Sequence, residues 1–151
     1  MITIQEGSIF DADVQALVNP VNCVGVMGKG LALEFKKRFP KNYEFYKQCC
    51  YDGYLRPGIV INKLENDKMI FHFPTKDHWK DPSHLDYIRD GLPQLAGYLD
   101  NFNYESVALP ALGCGLGGLN MRDVLPLIHR AFKDYESIRV VVFLPKGTLN
   151  E

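Results

Sequence analysis

At 151 residues, the chain is the size of one domain, 1–151, with a single core. A net charge of −1 excludes a protein that lives by nonspecific nucleic-acid binding, which needs a strongly basic surface, so any such contact is local. An apolar fraction of 46% and an aromatic fraction of 12% exclude disorder, and no run approaches the ~20 apolar residues of a membrane span. The N-terminus lacks a signal-peptide pattern. Cys23, Cys49, Cys50 and Cys114 show neither C-x-x-C spacing nor a disulfide framework, which fits reduced thiols and a cytoplasmic protein. No repeat, low-complexity tract or linker marks an internal boundary.

Taken in order, Ile2 and Ile4 alternate with polar residues in a short first strand. Residues 6–10, Glu-Gly-Ser-Ile-Phe, form a turn. Ala16, Leu17 and Val18 begin a buried strand that passes Asn19 and Asn22 into a loop punctuated by Gly25, Gly28 and Gly30. From about Lys29 a helix follows, with Leu31, Ala32, Phe35 and Phe39 on one side and Glu34, Lys36, Lys37 and Arg38 on the other. Strand, glycine loop, helix presents unpaired N–H groups, at the positive end of a helix dipole, to an anion. An asparagine at the strand end can donate and accept toward sugar hydroxyls. The stretch matches neither a P-loop nor a G-x-G-x-x-G fingerprint.

Pro40 ends that helix and starts another, whose apolar face is Tyr43, Tyr46, Cys49 and Cys50 and whose end is Asp52-Gly53. Gly58-Ile-Val-Ile and Met69-Ile-Phe-His-Phe read as strands, with a turn at residues 65–68. The second strand runs into Pro74-Thr-Lys-Asp-His-Trp-Lys, so Lys76 lies at the C-terminal end of a strand, where open α/β sheets place ligand sites. His72, His78 and His84 share no helical face, and no acid or cysteine completes a metal set, so no metal site is expected. Leu85, Ile88, Leu92, Leu95, Ala96 and Leu99 have helical spacing, but Gly91 and Pro93 predict a kink or two short helices.

Val107-Ala-Leu-Pro is a strand leading into a second glycine loop, with four glycines in residues 113–118. Successive N–H groups in such a loop form a nest for phosphate. Asn120 is placed to cap the next helix, whose face is Met121, Val124, Leu125, Ile128 and Phe132. Arg139-Val-Val-Val-Phe-Leu closes the chain's regular structure as a buried, parallel-type strand. Two glycine loops, each between a strand and a helix, suit a diphosphate lying between two helix N-termini. Asn22 and Lys76 can then converge on the sugar beyond it.

Three strings carry a family resemblance. Asn19-Pro-Val-Asn-Cys-Val-Gly-Val-Met-Gly-Lys-Gly-Leu-Ala resembles the ribose-binding signature of macrodomains, the modules that bind ADP-ribose. Within them it looks most like the DarG-type antitoxin macrodomains, relatives of the terminal ADP-ribose glycohydrolases. Phe73-Pro-Thr-Lys-Asp-His-Trp-Lys resembles the catalytic segment of the DarG type, and residues 111–119 resemble the macrodomain diphosphate loop. The resemblance spans nearly the whole chain. It implies an α/β fold, a three-layer α/β/α sandwich around a mixed, mostly parallel sheet of about six strands.

It also implies catalysis by Lys76 with Asn22. ADP-ribose contacts are expected from Ser8, Ile9, Asn19, Asn22, Val26, Met27, Gly28, Lys29, Gly30, Thr75, Lys76, Gly113, Cys114, Gly115, Leu116, Gly117 and Gly118. His78, Trp79 and Lys80, and more weakly Arg38, are placed to contact DNA. Two positions depart from other macrodomains. Ser8 stands where an Asp often binds the adenine amino group. Gly117 stands where terminal glycohydrolases carry an Asp that assists ester cleavage, and Gly117-Gly118-Leu119 follows the DarG pattern instead.

The activity so implied is removal of ADP-ribose from thymine bases of single-stranded DNA, reversing a DarT-type toxin, with no cofactor and no membrane association. The implied partners are ADP-ribose, ADP-ribosylated single-stranded DNA and the toxin. A non-catalytic ADP-ribose reader is an alternative, as is a hydrolase or phosphatase acting on protein-linked ADP-ribose or ADP-ribose 1″-phosphate. Lys76 discriminates, because a reader has no need of it. Whether Lys76 forms a transient Schiff base or protonates the departing base stays open. Cys23 and Cys114 read as buried structural thiols rather than nucleophiles. DarG antitoxins carry a further toxin-gripping domain, so the chain is expected to be an excised domain or a stand-alone form.

Overall fold

Alternation along the strands divides the core into two layers, one on each face of a central sheet. In a computed structural model that describes residues 1–145 and 147–148, the strands are β1 (Ile2–Glu6), β2 (Ala16–Val21), β3 (Ile61–Glu65), β4 (Lys68–Pro74), β5 (Ser106–Pro110) and β6 (Arg139–Leu144). The helices are α1 (Gly30–Arg38), α2 (Pro40–Tyr51), α3 (Leu85–Asn101) and α4 (Met121–Phe132), with single 3-10 turns at Ile9–Asp11 and Gly115–Gly117. The six strands lie in the order β1-β6-β5-β2-β4-β3. All neighbours run parallel except β3 and β4. Ala16, Val18, Phe71, Phe73, Val107, Leu109, Val140 and Val142 pack with the buried faces of α3 and α4. The alternate residues Leu17, Ile70, Ala108 and Val141 pack with Phe35 of α1 and Phe39. The result is the expected α/β/α sandwich around a mixed, mostly parallel sheet. Among the described residues no helix is long and apolar enough to cross a membrane.

Two expectations need correction. Residues 58–60 are not a strand; β3 begins only at Ile61. The Gln94 side chain takes that segment instead, accepting from the Val60 N–H at 3.1 Å and donating to the Gly58 carbonyl. Of the kink or two short helices predicted at Gly91 and Pro93, the two short helices do not form: α3 is one continuous helix. Ile88, Leu92, Leu95, Ala96 and Leu99 are all buried, and that apolar stripe outweighs the one hydrogen bond Pro93 removes. Gly91 is there for closeness: a Cβ would come within 2.5 Å of the Phe73 ring. The Asn120 cap is present, its Oδ1 accepting from the Arg122 N–H at 2.9 Å.

One polar chain crosses the interior between the sheet and α2. Asn19 and His72 are register partners on β2 and β4. The His72 Nδ1 lies 3.3 Å from Asn19 Nδ2, and its Nε2 lies 2.8 Å from Asn42 Oδ1 on α2. Asn42 Nδ2 donates in turn to Glu65 Oε1 at 2.9 Å. The Glu65 carboxylate also accepts from the N–H groups of Lys41 and Asn42, a carboxylate at the positive end of α2. An Nε2–H tautomer of His72 satisfies both ring contacts, since each amide offers the complementary atom. Burial holds the imidazole down at about 3, so it is neutral at ordinary pH.

Candidate functional site

Parallel order brings the C-terminal ends of β1, β6, β5, β2 and β4 to one edge of the sheet, and a cleft of about 1500 Å³ runs along it. That exceeds the roughly 300–1,000 Å³ of compact small-molecule pockets and suits an extended ligand. Residues 7–10, 20–22, 28–32, 113–121 and 143–145 form its walls, with Val26, Glu34, Arg38, Thr75, Lys76, Trp79, Lys80 and Ser83. Its cations are Lys29, Arg38, Lys76 and Lys80. Its one carboxylate among these, Glu34, lies 3.7 Å from Arg38 Nε. The field in the cleft therefore favours an anion.

The first glycine loop is held by Asn22, which is 8% exposed. Its Oδ1 accepts from the N–H groups of Val24 and Val26 at 3.1 and 3.3 Å, and its Nδ2 donates to the Val26 carbonyl at 2.7 Å. The buried Tyr46 hydroxyl shares its proton between Asn22 Oδ1 at 2.7 Å and the Asn22 carbonyl at 2.8 Å. Burial, with Cys50 beside it, pushes the Tyr46 phenol far above its usual range, so it stays a donor. Asn22 keeps one N–H for a ligand, while its oxygen belongs to the loop. Tyr46 was read from sequence only as core, because nothing local links it to a loop 24 residues away.

Two expected ligand contacts lie below the cleft rather than on it. Asn19 is inside β2, fully buried, its amide directed at His72 and, at 3.9 Å, at Met27 Sδ. Met27 packs with Val21, Tyr46, Leu55 and Ile61. Both support the floor. Ser8 and Ile9 do line the cleft, with Ser8 capping the Ile9–Asp11 turn through its Oγ at 3.2 Å from the Phe10 N–H.

The segment after β4 is laced to both glycine loops. The Thr75 N–H donates to the Val21 carbonyl and the Cys23 N–H to the Asp77 carbonyl, at 2.9 and 2.8 Å. Half-buried Lys76 sends its Nζ between the carbonyls of Trp79 and Leu116, 3.4 Å from each. Leu116 belongs to the second glycine loop, so the lysine ties the segment after β4 to that loop. Trp79 and Lys80 line the cleft, and His78 does not. The His78 ring packs against Trp79 at a 31° tilt, with centroids 5.5 Å apart, and its Nδ1 accepts from the Lys80 N–H at 3.1 Å.

In the second loop, the first hydrogen bond of the Gly115–Gly117 turn is Gly118 N–H to the Gly115 carbonyl at 3.0 Å. The amides of Gly115, Leu116 and Gly117 precede it and have no acceptor within the turn, an arrangement suited to phosphate oxygens. Gly113, Cys114 and Gly118 complete this wall. Ser83, which sequence reasoning missed, packs beneath. Its N–H donates to the Gly117 carbonyl at 2.9 Å. Its Oγ is buried without a partner, in a residue 5% exposed. A Cβ at Gly117 would lie 2.3 Å from that Oγ. No acidic side chain fits at 117 in this arrangement. Gly117→Ala is expected to displace the turn and weaken ADP-ribose binding at least about tenfold by calorimetry, a loss near the 1–3 kcal/mol of one buried hydrogen bond. Ser83→Gly in that background should recover part of it.

Cys23 and Cys114 are poor nucleophiles. Burial, then the charge of Asp77, pushes the Cys23 thiol up to about 12, and burial raises Cys114 as well. Among the described residues no three metal-ligating side chains come together.

An open α/β sheet with a cationic trough across its parallel strand ends, walled by two glycine loops, defines a domain for an extended anionic ligand. The family model for the Macro domain matches residues 18–128. This chain belongs to the Macro domain family. It is 43% identical, over 97% of its length, to a Mycobacterium tuberculosis protein named DNA ADP-ribosyl glycohydrolase, of which it spans 43%. It superposes on the macrodomain of Thermus aquaticus DarG with a TM-score of 0.89 at 41% identity, covering 95% of this chain and 97% of that one. It matches Thermosipho africanus DarTG in complex with ADP-ribose with a TM-score of 0.87 at 35% identity, covering 97% of this chain and 42% of that one.

Proposed function

We propose that this domain hydrolyses the N-glycosidic bond between ADP-ribose and a thymine base of single-stranded DNA, undoing the product of a DarT-type toxin. The observation that carries this reading is Lys76, whose ammonium group lines the cleft between the Trp79 carbonyl and the Leu116 carbonyl of the second glycine loop. The names of the relatives support it. The diphosphate lies on the Gly115–Gly117 amides and opposite Lys29, and the distal ribose meets the remaining N–H of Asn22. In the reaction the bond from the anomeric carbon to the ring nitrogen breaks, and a water oxygen takes its place. The base leaves with one proton and the water's other hydrogen stays on the sugar. An ammonium has three donors. Two are directed at carbonyls, which leaves one for the departing base as negative charge develops on it.

Incubation with an oligonucleotide carrying ADP-ribosylated thymidine tests the proposal by release of free ADP-ribose. Tight binding of ADP-ribose without release would make the domain a reader. Tyr46→Phe is expected to lower kcat about tenfold with little change in KM, the loss of roughly one hydrogen bond that orients Asn22.

A further inference from the structure

The polar groups of the reacting end are anchored on residues whose own side chains are apolar and open to solvent. Asn22 Nδ2 is held by the Val26 carbonyl at 2.7 Å. Lys76 Nζ is held by the carbonyls of Trp79 and Leu116 at 3.4 Å each. Val26, Trp79 and Leu116 are 40%, 46% and 76% exposed, and all three line the cleft. The Thr75–Val21 and Cys23–Asp77 backbone hydrogen bonds bring the chain at Asn22 and Lys76 side by side, so the three residues that anchor these groups belong to one stretch of the cleft wall. Exposed apolar groups gathered at one spot mark a binding surface.

Resting on the function proposed above, we propose that Val26, Trp79 and Leu116 form a collar that receives the nucleobase leaving group, with Trp79 as its stacking face. The His78 ring packs against Trp79 at a 31° tilt, and Lys80 Nζ lies over the indole, 5.1 Å from its ring centre. An exposed ring with a cation close over it suits a base and the phosphate next to it. The acids of the same segment, Asp77 and Asp81, are off the cleft wall, so nothing acidic in the collar repels that phosphate. An aspartate or glutamate side chain as leaving group would leave the apolar surface uncovered.

Trp79 is the only tryptophan of the chain, so its fluorescence reads the collar directly. In the Lys76→Ala protein, an oligonucleotide bearing ADP-ribosylated thymidine should quench Trp79 saturably, while free ADP-ribose should not. In the otherwise unaltered protein, Trp79→Ala and Leu116→Ala should each lower kcat/KM on that oligonucleotide, by about ten- to a hundredfold for the tryptophan. The affinity of the Trp79→Ala protein for free ADP-ribose should stay within about twofold, which also certifies its fold, and Trp79→Phe should restore most of the activity. Turnover on DNA with no quenching, and unaltered rates in both alanine variants, would overturn the collar and leave the proposed activity standing. Quenching by the oligonucleotide without any turnover would remove the activity and keep the collar. An ADP-ribosylated acidic peptide that quenches as strongly as the DNA would overturn its preference for a base.

Discussion

Lys76→Ala is expected to lower the rate of ADP-ribose release from modified DNA by about a thousandfold or more, the scale of losing a positioned acid or charge stabiliser. Affinity for free ADP-ribose should move by less than about threefold, since the Gly115–Gly117 amides and Asn22 of the proposed pose remain. The fold should not suffer: both Lys76 contacts are long, 3.4 Å, and face the cleft. Lys76→Arg keeps the charge but spreads it over a planar fork that does not fit between two carbonyls set for one ammonium, so it should recover little. Borohydride during turnover separates the two roles for the lysine. A proton donor leaves nothing to reduce, whereas a Schiff base would be trapped as a stable ADP-ribosyl adduct on Lys76. Undiminished release by Lys76→Ala would remove the lysine from the mechanism.

Acidification below neutral pH is expected to destabilise the fold through His72 before the carboxylates titrate. Its ordinary value is 6.5, and in the folded protein burial lowers it to about 3. Between these values the unfolded chain binds a proton that the native state does not, so stability falls as pH falls. The contribution is complete above pH 6.5 and is lost toward pH 3, at about 1.4 kcal/mol per pH unit and roughly 5 kcal/mol in all. Urea unfolding at pH 7, 6 and 5 should show this slope, and His72→Gln, which cannot titrate, should flatten it. Equal slopes in the two proteins would mean that His72 is not the group responsible.

Where the chain's chemistry is local, the sequence was readable. The strand–glycine–helix junctions, the Asn120 cap and the position of Lys76 at the end of β4 depend on neighbours within a few residues. What escaped was decided at a distance. Asn19 resembles a ligand residue in its motif, but its strand turns the amide toward His72 on β4. Residues 58–60 have strand composition, yet Gln94 on α3 claims their backbone. Ser83 and Gly117 come together only when the approach to α3 docks on the loop after β5, and no spacing in the chain announces that meeting. Pro93 shows the converse: its local break signal allowed two short helices, and tertiary burial keeps α3 continuous.

Asn42 and Tyr46 sit one turn apart on α2, the first joined to the buried histidine and the second to Asn22. The first glycine loop is thus already fixed by hydrogen bonds within the folded domain. Its backbone entropy is lost when the chain folds rather than when a ligand arrives. Docking then needs no further ordering of that loop, and more of the contact energy appears as affinity. The same rigidity makes the site intolerant of poses that need the loop to adapt, so selectivity follows from a helix that does not line the cleft.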